Sequence, residues 1–321
     1  MFKNKQFKIL LFYWILIFFN EVALEEAVEL YREAGSLYHG PALCALGRCH
    51  EFNIGIPGNI TEKERLEVAL ACYEEASEVG EAEALFHQGR FAETHSNKEM
   101  HQYAFNFYYR SVELGYKQAI AKVGYCYELG IGKKQNYIKA KEYYDLALEN
   151  DKTDKFAIAR RENPEFYYSL AVCYSTGLDT EIKNATAFSW CKKAADSERS
   201  SNTNSNSTIA MAQNLLGNFY SKAIGCEADP YKAVEYYKKS ASNGDHWGQF
   251  NLATCYERAY GGLQGGFASA LYWYSESADK GNDKALLRLG IFKGCPRFTL
   301  PQASAEPFKP PKHLEILQGS F

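Results

Sequence analysis

Residues 124–147 read GYCYELGIGKKQNYIKAKEYYDLA, and this stretch decides the fold. Its second half places Ala140 four residues before Tyr144. The same spacing of an alanine and an aromatic residue recurs along the chain at intervals of 35 to 47 residues. The copies are Ala27/Tyr31, Ala69/Tyr73, Ala104/Tyr108, Ala140/Tyr144, Ala233/Tyr237 and Ala270/Tyr274, with Ala187/Cys191 as a degenerate seventh. A period of this length is typical of stacked helical-hairpin repeats.

Each repeat predicts two helices. The second helix carries the alanine and the aromatic residue, and a glycine eleven residues after the alanine predicts its end, at Gly80, Gly115, Gly244 and Gly281. The first helix carries another small residue, at Gly47, Gly89, Gly124, Ala171, Gly217, Ala253 and Gly290. Because glycine is a weak helix former, its presence in mid-helix needs a reason. We expect close approach of the two helices, with the aromatic ring filling the space that the missing side chain leaves.

Two repeats are longer than the others. The distance from the alanine to the next small residue is 20 in five units, but 31 from Ala140 to Ala171 and 30 from Ala187 to Gly217. We therefore expect loop insertions at about 151–163 and 197–207. The second insertion is rich in Ser and Asn, which predicts a mobile, solvent-exposed loop. The repeat array would span residues 22–294, and the Pro-rich residues 295–321 predict an extended or disordered arm.

The first 21 residues allow several interpretations. Lys3, Lys5 and Lys8 precede an unbroken apolar run from Ile9 to Phe19, as in a secretory signal peptide or a short membrane anchor. The segment also has the place of a degenerate first helix, since Leu11 precedes Ala27 by the usual sixteen residues. A gene-annotation artefact is a third possibility. The chain is secretory, in the endoplasmic reticulum or membrane-associated under the first interpretation, and cytoplasmic otherwise.

Composition and motifs argue against several functions. A formal net charge of −3 does not favour nucleic acid, which prefers a basic face. Phosphate loops, nucleophile elbows and metal-ligand helices are absent from the sequence, and Gly261–Gly266 is interpreted as a turn between helices. Four cysteines share one repeat position with phenylalanines, which favours apolar packing over a disulfide or metal role: Cys49, Cys126, Cys173 and Cys255 alternate with Phe91, Phe219 and Phe292. We therefore predict no catalytic residues, metal or cofactor.

Positions that vary while the repeat stays fixed are candidates for partner contact. Two such positions lie three residues apart on the first helix and so share one face. From these we select His87, Arg90, Lys122, Tyr125, Asn218, Asn251, Thr254 and Arg288 as partner-binding residues. Tyr109 is added because other repeats place a polar residue there, and tyrosine is enriched in interface hot spots. We expect a protein partner in a groove lined by the first helices. Membrane contact would come only through the N-terminal apolar segment or a membrane-protein partner.

The pattern A-x-x-x-Y followed by G-x-C-Y and G-x-G resembles the Sel1-like repeat family, over about residues 22 to 292. The resemblance implies an all-α, right-handed α/α superhelix (a solenoid) of about six hairpins that acts as a non-catalytic adaptor. One branch of this family activates chitin synthase, and another is a lumenal adaptor in degradation at the endoplasmic reticulum. Cysteine-rich bacterial relatives linked to β-lactam binding offer a remote enzymatic alternative, although their paired cysteines in every repeat are absent from this sequence.

Overall fold

The computed structural model describes residues 21–56, 58, 60–94, 102–198 and 203–293. Within these ranges the chain forms fifteen α-helices, one turn of 3₁₀ helix and no strand. Contacts divide the chain into two compact units, Met1–Ile158 and Ala159–Phe321. The prediction of an all-α fold is confirmed.

The first unit contains three helical hairpins. Helix α1 (Glu21–Gly35) is followed by the pairs α2 (Gly40–Phe52) with α3 (Glu62–Glu78), α4 (Ala82–Thr94) with α5 (Ala104–Glu113), and α6 (Ile120–Leu129) with α7 (Tyr137–Asn150). A 3₁₀ turn, Lys117–Ala119, leads into α6. Helix α8 (Lys155–Arg161) follows α7.

The second unit repeats the arrangement. Its pairs are α9 (Pro164–Thr176) with α10 (Asn184–Ala195), α11 (Thr203–Lys222) with α12 (Pro230–Ser242), and α13 (His246–Glu257) with α14 (Phe267–Asp279). Helix α15 (Asp283–Lys293) packs against α14. Together the two units contain the six hairpins that the repeat period predicts.

The close approach expected at the small residues is present. A Cβ built on Gly47, Gly89 or Gly217 would lie 2.7, 2.7 or 2.5 Å from Cε1 of the tyrosine in the partner helix. The tyrosines at this repeat position are all fully or almost fully buried: Tyr73, Tyr108, Tyr144, Tyr237 and Tyr274. Because real Cβ contacts do not approach so closely, the ring occupies the volume that a side chain on the glycine would need.

The ends of the second helices also follow the prediction. Gly80, Gly115, Gly244 and Gly281 have φ angles of 86°, 92°, 90° and 86°. Only glycine adopts this conformation without strain, and it lets the chain reverse into the next first helix. Backbone bonds such as Glu81 N to Ala76 O, at 3.0 Å, then satisfy the last carbonyl groups of the helix.

Both insertions differ from the expected loops. Residues 151–163 contain the short helix α8, whose Ala157 is fully buried. Asp154 begins this helix because its side chain accepts hydrogen bonds from the backbone N–H groups of Phe156 and Ala157. In the second insertion α11 already begins at Thr203, so the prediction of a loop is wrong for residues 203–207. Within this stretch Ser205 is buried, whereas Asn204 and Ser207 are exposed as expected. Residues 199–202 lie outside the described part of the chain.

None of the described helices combines the length and the apolar character that a membrane crossing requires. Residues 1–20, on which the predictions of a signal peptide, an anchor or a first helix depend, lie outside the described residues, as do residues 294–321.

The contact at Gly217 can be tested with one methyl group. Gly217→Ala should destabilise the chain by about 1–3 kcal/mol, because the new Cβ overlaps the ring of Tyr237 and also lies 3.2 Å from Ala233 O. Gly290→Ala is the matched control: within the part of the chain that the structure describes, no atom lies within 4 Å of its added Cβ, so better helix propensity should stabilise by up to ~1 kcal/mol. Urea unfolding followed by circular dichroism measures both. Equal effects of the two substitutions would contradict this packing.

Candidate protein-interaction surface

The hydroxyl groups of the buried tyrosines donate hydrogen bonds to polar side chains on the first helix of the same hairpin. Tyr73 Oη donates to Glu51 Oε2 at 2.7 Å, and Tyr108 Oη donates to Glu93 Oε2 at 2.6 Å. The same bond joins Tyr144 to Glu128 at 2.6 Å and Tyr274 to Glu257 at 2.5 Å. Burial and, after it, the neighbouring carboxylate raise the pKa of Tyr73 well above its ordinary value. The phenols therefore act as fixed hydrogen-bond donors, which satisfies an otherwise costly buried polar group.

A cation from the next first helix completes three of these contacts. Arg90 Nη2 lies 2.5 Å from Glu51 Oε2, Lys122 Nζ 3.1 Å from Glu93 Oε2, and Arg288 Nη1 3.5 Å from Glu257 Oε1. We call these three sets of residues the inter-repeat clamps: Tyr73–Glu51–Arg90, Tyr108–Glu93–Lys122 and Tyr274–Glu257–Arg288. Each clamp joins one hairpin to the first helix that follows it, α4, α6 or α15.

An uncharged version occurs between α11 and α13. Tyr237 Oη donates to Asn218 Oδ1 at 2.8 Å. Asn251 Nδ2, from the next first helix, donates to Asn214 Oδ1 at 2.7 Å and lies 3.4 Å from Asn218 Oδ1. Amide groups thus accept the tyrosine hydrogen bond and connect the two first helices here, as a carboxylate and a cation do in the clamps.

The eight predicted contact residues of the first helices occupy the predicted helix face, whereas Tyr109 lies on the second helix α5, and the accessibility of the nine differs. His87, Asn218, Asn251 and Thr254 are buried, and Thr254 Oγ1 lies 3.1 Å from Tyr274 Oη. Such side chains have little surface to offer a partner. Arg90, Lys122, Tyr125 and Arg288 are partly exposed, and Tyr109 is exposed while its ring stacks on Phe105. Partner contact stays a prediction, and the accessible members are the ones that can make it.

Lys122 connects a clamp to the first insertion. Its Nζ lies 4.7 Å from the ring centre of Phe156 and 5.1 Å from that of Tyr125, within range of cation–π attraction. Phe156 belongs to α8, so the inserted helix packs beside two of the predicted contact residues. The ring of Tyr125 meets Phe156 edge-on at 5.6 Å.

A thiol, a carboxylate and an imidazole meet between α2 and α4. One ligand atom each of Cys44, Glu83 and His87 lies within 4.8 Å of the others. However, Arg90 Nη2 lies 3.2 Å from His87 Nδ1, and a guanidinium can only donate. His87 Nδ1 therefore accepts in this contact, while Nε2 lies 3.5 Å from Glu83 Oε1 and makes no hydrogen bond to the described residues.

Two guanidinium groups oppose a bound cation here: Arg90 beside His87, and Arg48, whose Nη1 lies 3.6 Å from Glu83 Oε1. Within the second unit, Asn214 and Asn251 form a hydrogen bond at the repeat positions that correspond to Cys44 and His87. We therefore interpret the cluster as a polar contact between adjacent first helices.

The cysteines at the shared repeat position pack as predicted. Cys126, Cys173 and Cys255 are buried, as are Phe91 and Phe219, while Cys49 is partly buried. Burial raises the pKa of Cys126 and Cys255 to about 12 and of Cys173 to about 11. Thiols with such values stay protonated and unreactive near neutral pH.

Thiol labelling tests this burial. In the native protein at pH 8, N-ethylmaleimide should modify the half-buried Cys226 at least about tenfold faster than Cys126 or Cys255, since reaction needs access and thiolate. Peptide mass spectrometry gives the rate at each site, and labelling in urea provides the control. Equal native rates at Cys126 and Cys226 would contradict the packing.

Variable positions alone do not indicate the carboxylates of the clamps, which the sequence-based prediction of contact residues therefore lacks. A signal was present. Four residues after the small residue, the first helices carry Glu51, Glu93, Glu128 and Glu257, each in a hairpin whose second helix has the tyrosine. Where Cys191 replaces the tyrosine, Ser175 replaces the acid.

The clamps should differ in strength. Arg90→Met should destabilise by about 1–3 kcal/mol, because it removes a cation from Glu51, whose side chain is only 4% exposed. Arg288→Met should cost at most ~1 kcal/mol, since both of its charged groups are more exposed and their contact is longer. Thermal unfolding at fixed ionic strength ranks the two variants, and a larger loss for Arg288→Met would refute this order.

Comparison with known proteins agrees with this repeat architecture. The Sel1 repeat profile matches residues 40–81, 117–152, 164–198, 210–245 and 248–282. Since these segments cover more than half of the chain, the protein belongs to the Sel1 repeat family. The hairpin of α4 and α5 lies between the first two matches and keeps both the glycine–tyrosine contact and the clamp.

Curated relatives have regulatory and binding names. The chain is 29% identical over 218 residues to DAP3-binding cell death enhancer 1 of Rattus norvegicus, covering 68% of this chain and 36% of the relative. It is 26% identical over 189 residues to chitin synthase regulatory factor 3 of Schizosaccharomyces pombe, covering 58% and 18%. The chain thus spans about a third or less of these relatives. These names, together with the repeats, are consistent with a protein-interaction scaffold.

Two solved structures of Sel1 repeat proteins are among those similar to the chain, each with a TM-score below 0.5. One is c5321, described as a protective antigen of uropathogenic Escherichia coli with an SLR fold: identity 23%, TM-score 0.43, covering 84% of this chain and 60% of that one. Another is a Sel1 repeat protein from Oxalobacter formigenes: identity 24%, TM-score 0.42, covering 86% of both chains.

Proposed function

We propose that this chain is a non-catalytic scaffold that binds a protein partner along the first-helix edges of its Sel1 hairpins. The observation that carries the proposal is that the first helices bear two distinct groups of side chains. The clamps hold successive hairpins together, and partly exposed side chains such as Tyr125 and Arg288 lie beside or within them. Fixed polar geometry on rigid helices is suited to docking, because little conformational entropy is lost on binding.

The buried thiols and phenols of the repeat core are consistent with a non-catalytic role. Catalytic thiols need a lowered pKa and access to substrate. Burial instead raises the pKa of Cys126, Cys173 and Cys255. It also raises the pKa of the core tyrosines Tyr108 and Tyr274. These shifts favour the uncharged forms that a packed interior requires.

The finer proposal is a regulator of the chitin-synthase-activator type. It rests on the similarity to chitin synthase regulatory factor 3 and on the paired tyrosines of the second helices, such as Tyr143 with Tyr144 and Tyr236 with Tyr237. The DAP3-binding relative supports the broader reading, a scaffold that recruits another protein. Chitin synthase and DAP3 therefore serve as the two baits of a binding experiment.

Binding should depend on accessible first-unit residues that are not the charged partners of a clamp: Tyr125 on the first helix α6 and, beyond the first-helix edges, Tyr109 on α5. Tyr109→Ser with Tyr125→Asn inserts residues that other repeats of this chain use at the same positions, Ser275 and Asn218. We expect at least about tenfold weaker binding to detergent-solubilised chitin synthase, as for loss of interface aromatics. Biolayer interferometry measures the affinity.

Tyr272→Asn is the matched control, because Tyr272 is an exposed aromatic of the second unit and its equivalent in α5 is Asn106. Unchanged binding of the double variant, or equal loss in the control, would contradict the assignment of the surface. Binding to DAP3 alone would replace the chitin-synthase proposal while retaining the scaffold.

The alternative, a lumenal adaptor in degradation at the endoplasmic reticulum, has its own test. The sequon residue Asn184 is exposed at the first position of α10, where a glycosyltransferase of the lumen could modify it. Glycosidase-sensitive mass that disappears in Asn184→Gln would favour the lumen. A wholly unglycosylated pool would remove this alternative.

A further inference from the structure

Helix α15 is a first helix whose outer face is uncovered. Leu286, Leu287 and Ile291 are 49%, 68% and 60% exposed, and no atom of the described residues lies within 4 Å of a Cβ built on Gly290. Its inner face, with Ala285 and Leu289, packs against α14. The helix therefore keeps the small residue of a hairpin without a ring beside it.

The six earlier first helices show what this face normally does. Their residues at the positions of Leu286, Leu287 and Ile291 are all buried or partly buried, and none is exposed. Examples are Leu43 and Cys44 in α2, and Gln249 and Phe250 in α13, all at most 9% exposed. In each case the second helix that covers the first helix is the next helix in the chain, after a connection of seven to nine residues.

We propose that residues 312–318 of the chain's own C-terminal segment cover the outer face of α15. The sequence continues for 28 residues after Lys293, more than such a connection and a second helix require. Prolines at 296, 301, 307, 310 and 311 oppose a helix before Pro311. After Pro311 the apolar residues Leu314, Ile316 and Leu317 form the one dense apolar group of the segment, and Gly319 follows.

The size of the face favours this occupant over a second copy of the chain. Three partly exposed aliphatic side chains offer far less than the roughly 800 Å² per partner that a stable interface buries. A segment tethered a few residues away needs no such area, because the connection gives it a high effective concentration. Leu314 and Leu317, three residues apart, can meet Leu287 and Ile291 as one apolar stripe.

Hydrogen exchange of the full chain tests the proposal. Leu314→Asp with Leu317→Asp should raise the exchange of the amides of residues 286–291 at least about tenfold, because their covering segment is released. Leu300→Asp is the matched control within the same segment and should leave this exchange unchanged. Exchange in α2 and α3 reports whether the remainder of the protein is intact.

The reciprocal variant is Leu287→Asp, which should speed tryptic cleavage after Lys312 at least about tenfold. Unchanged exchange of residues 286–291 in the Leu314/Leu317 variant would overturn the proposal. So would a dimer, seen by analytical ultracentrifugation, that Leu287→Asp abolishes and the Leu314/Leu317 variant retains, since a second copy would then be the occupant. Neither result affects the partner surface of the first unit, so failure here is distinct from failure of the scaffold function.

Discussion

A small residue, glycine or alanine, at the middle of each first helix is the constraint on which the hairpins depend. At Gly47, Gly89 and Gly217 a methyl group would overlap a buried tyrosine ring of the second helix. Ala253 tolerates a Cβ against Tyr274, so the requirement is a small residue rather than glycine alone. The ring brings a second consequence, because its hydroxyl reaches a carboxylate one turn further along the first helix, as from Tyr108 to Glu93. Apolar packing and polar satisfaction therefore have one origin.

The carboxylate then links one hairpin to the next. Arg90, Lys122 and Arg288 approach Glu51, Glu93 and Glu257 from the following first helix, so the tyrosine of one hairpin is coupled to its neighbour. Stability of such an array is approximately a sum of hairpin and neighbour terms. Within each unit, the clamps contribute to the interaction energy between neighbouring hairpins. The outer parts of the first helices take no part in the clamps and can vary in sequence. This division is what makes a repeat protein suitable as a scaffold.

Much of this could be predicted from the sequence, for physical reasons that differ between residues. The Ala/Tyr spacing and the terminal glycines depend only on local helix geometry, and Gly244 and Gly281 have the expected left-handed backbone. Burial could not be inferred from variability: the positions of Asn218, Asn251 and Thr254 vary between repeats, yet all three side chains are buried and hydrogen-bonded within the protein. Composition was equally misleading for residues 203–207, where Ser and Asn begin α11 because tertiary contacts override their weak helix propensity.

The most direct test of the central claim is a double-mutant cycle at Gly89 and Tyr108, in the hairpin that the family profile leaves unmatched. The Cβ of an alanine at position 89 would lie 2.7 Å from Tyr108 Cε1. Gly89→Ala should lower the free energy of unfolding by about 1 kcal/mol or more in the native chain, and this cost should largely disappear in the Tyr108→Leu background. The resulting coupling energy should exceed the roughly 0.5 kcal/mol expected of independent sites. Strictly additive free energies of unfolding would contradict it.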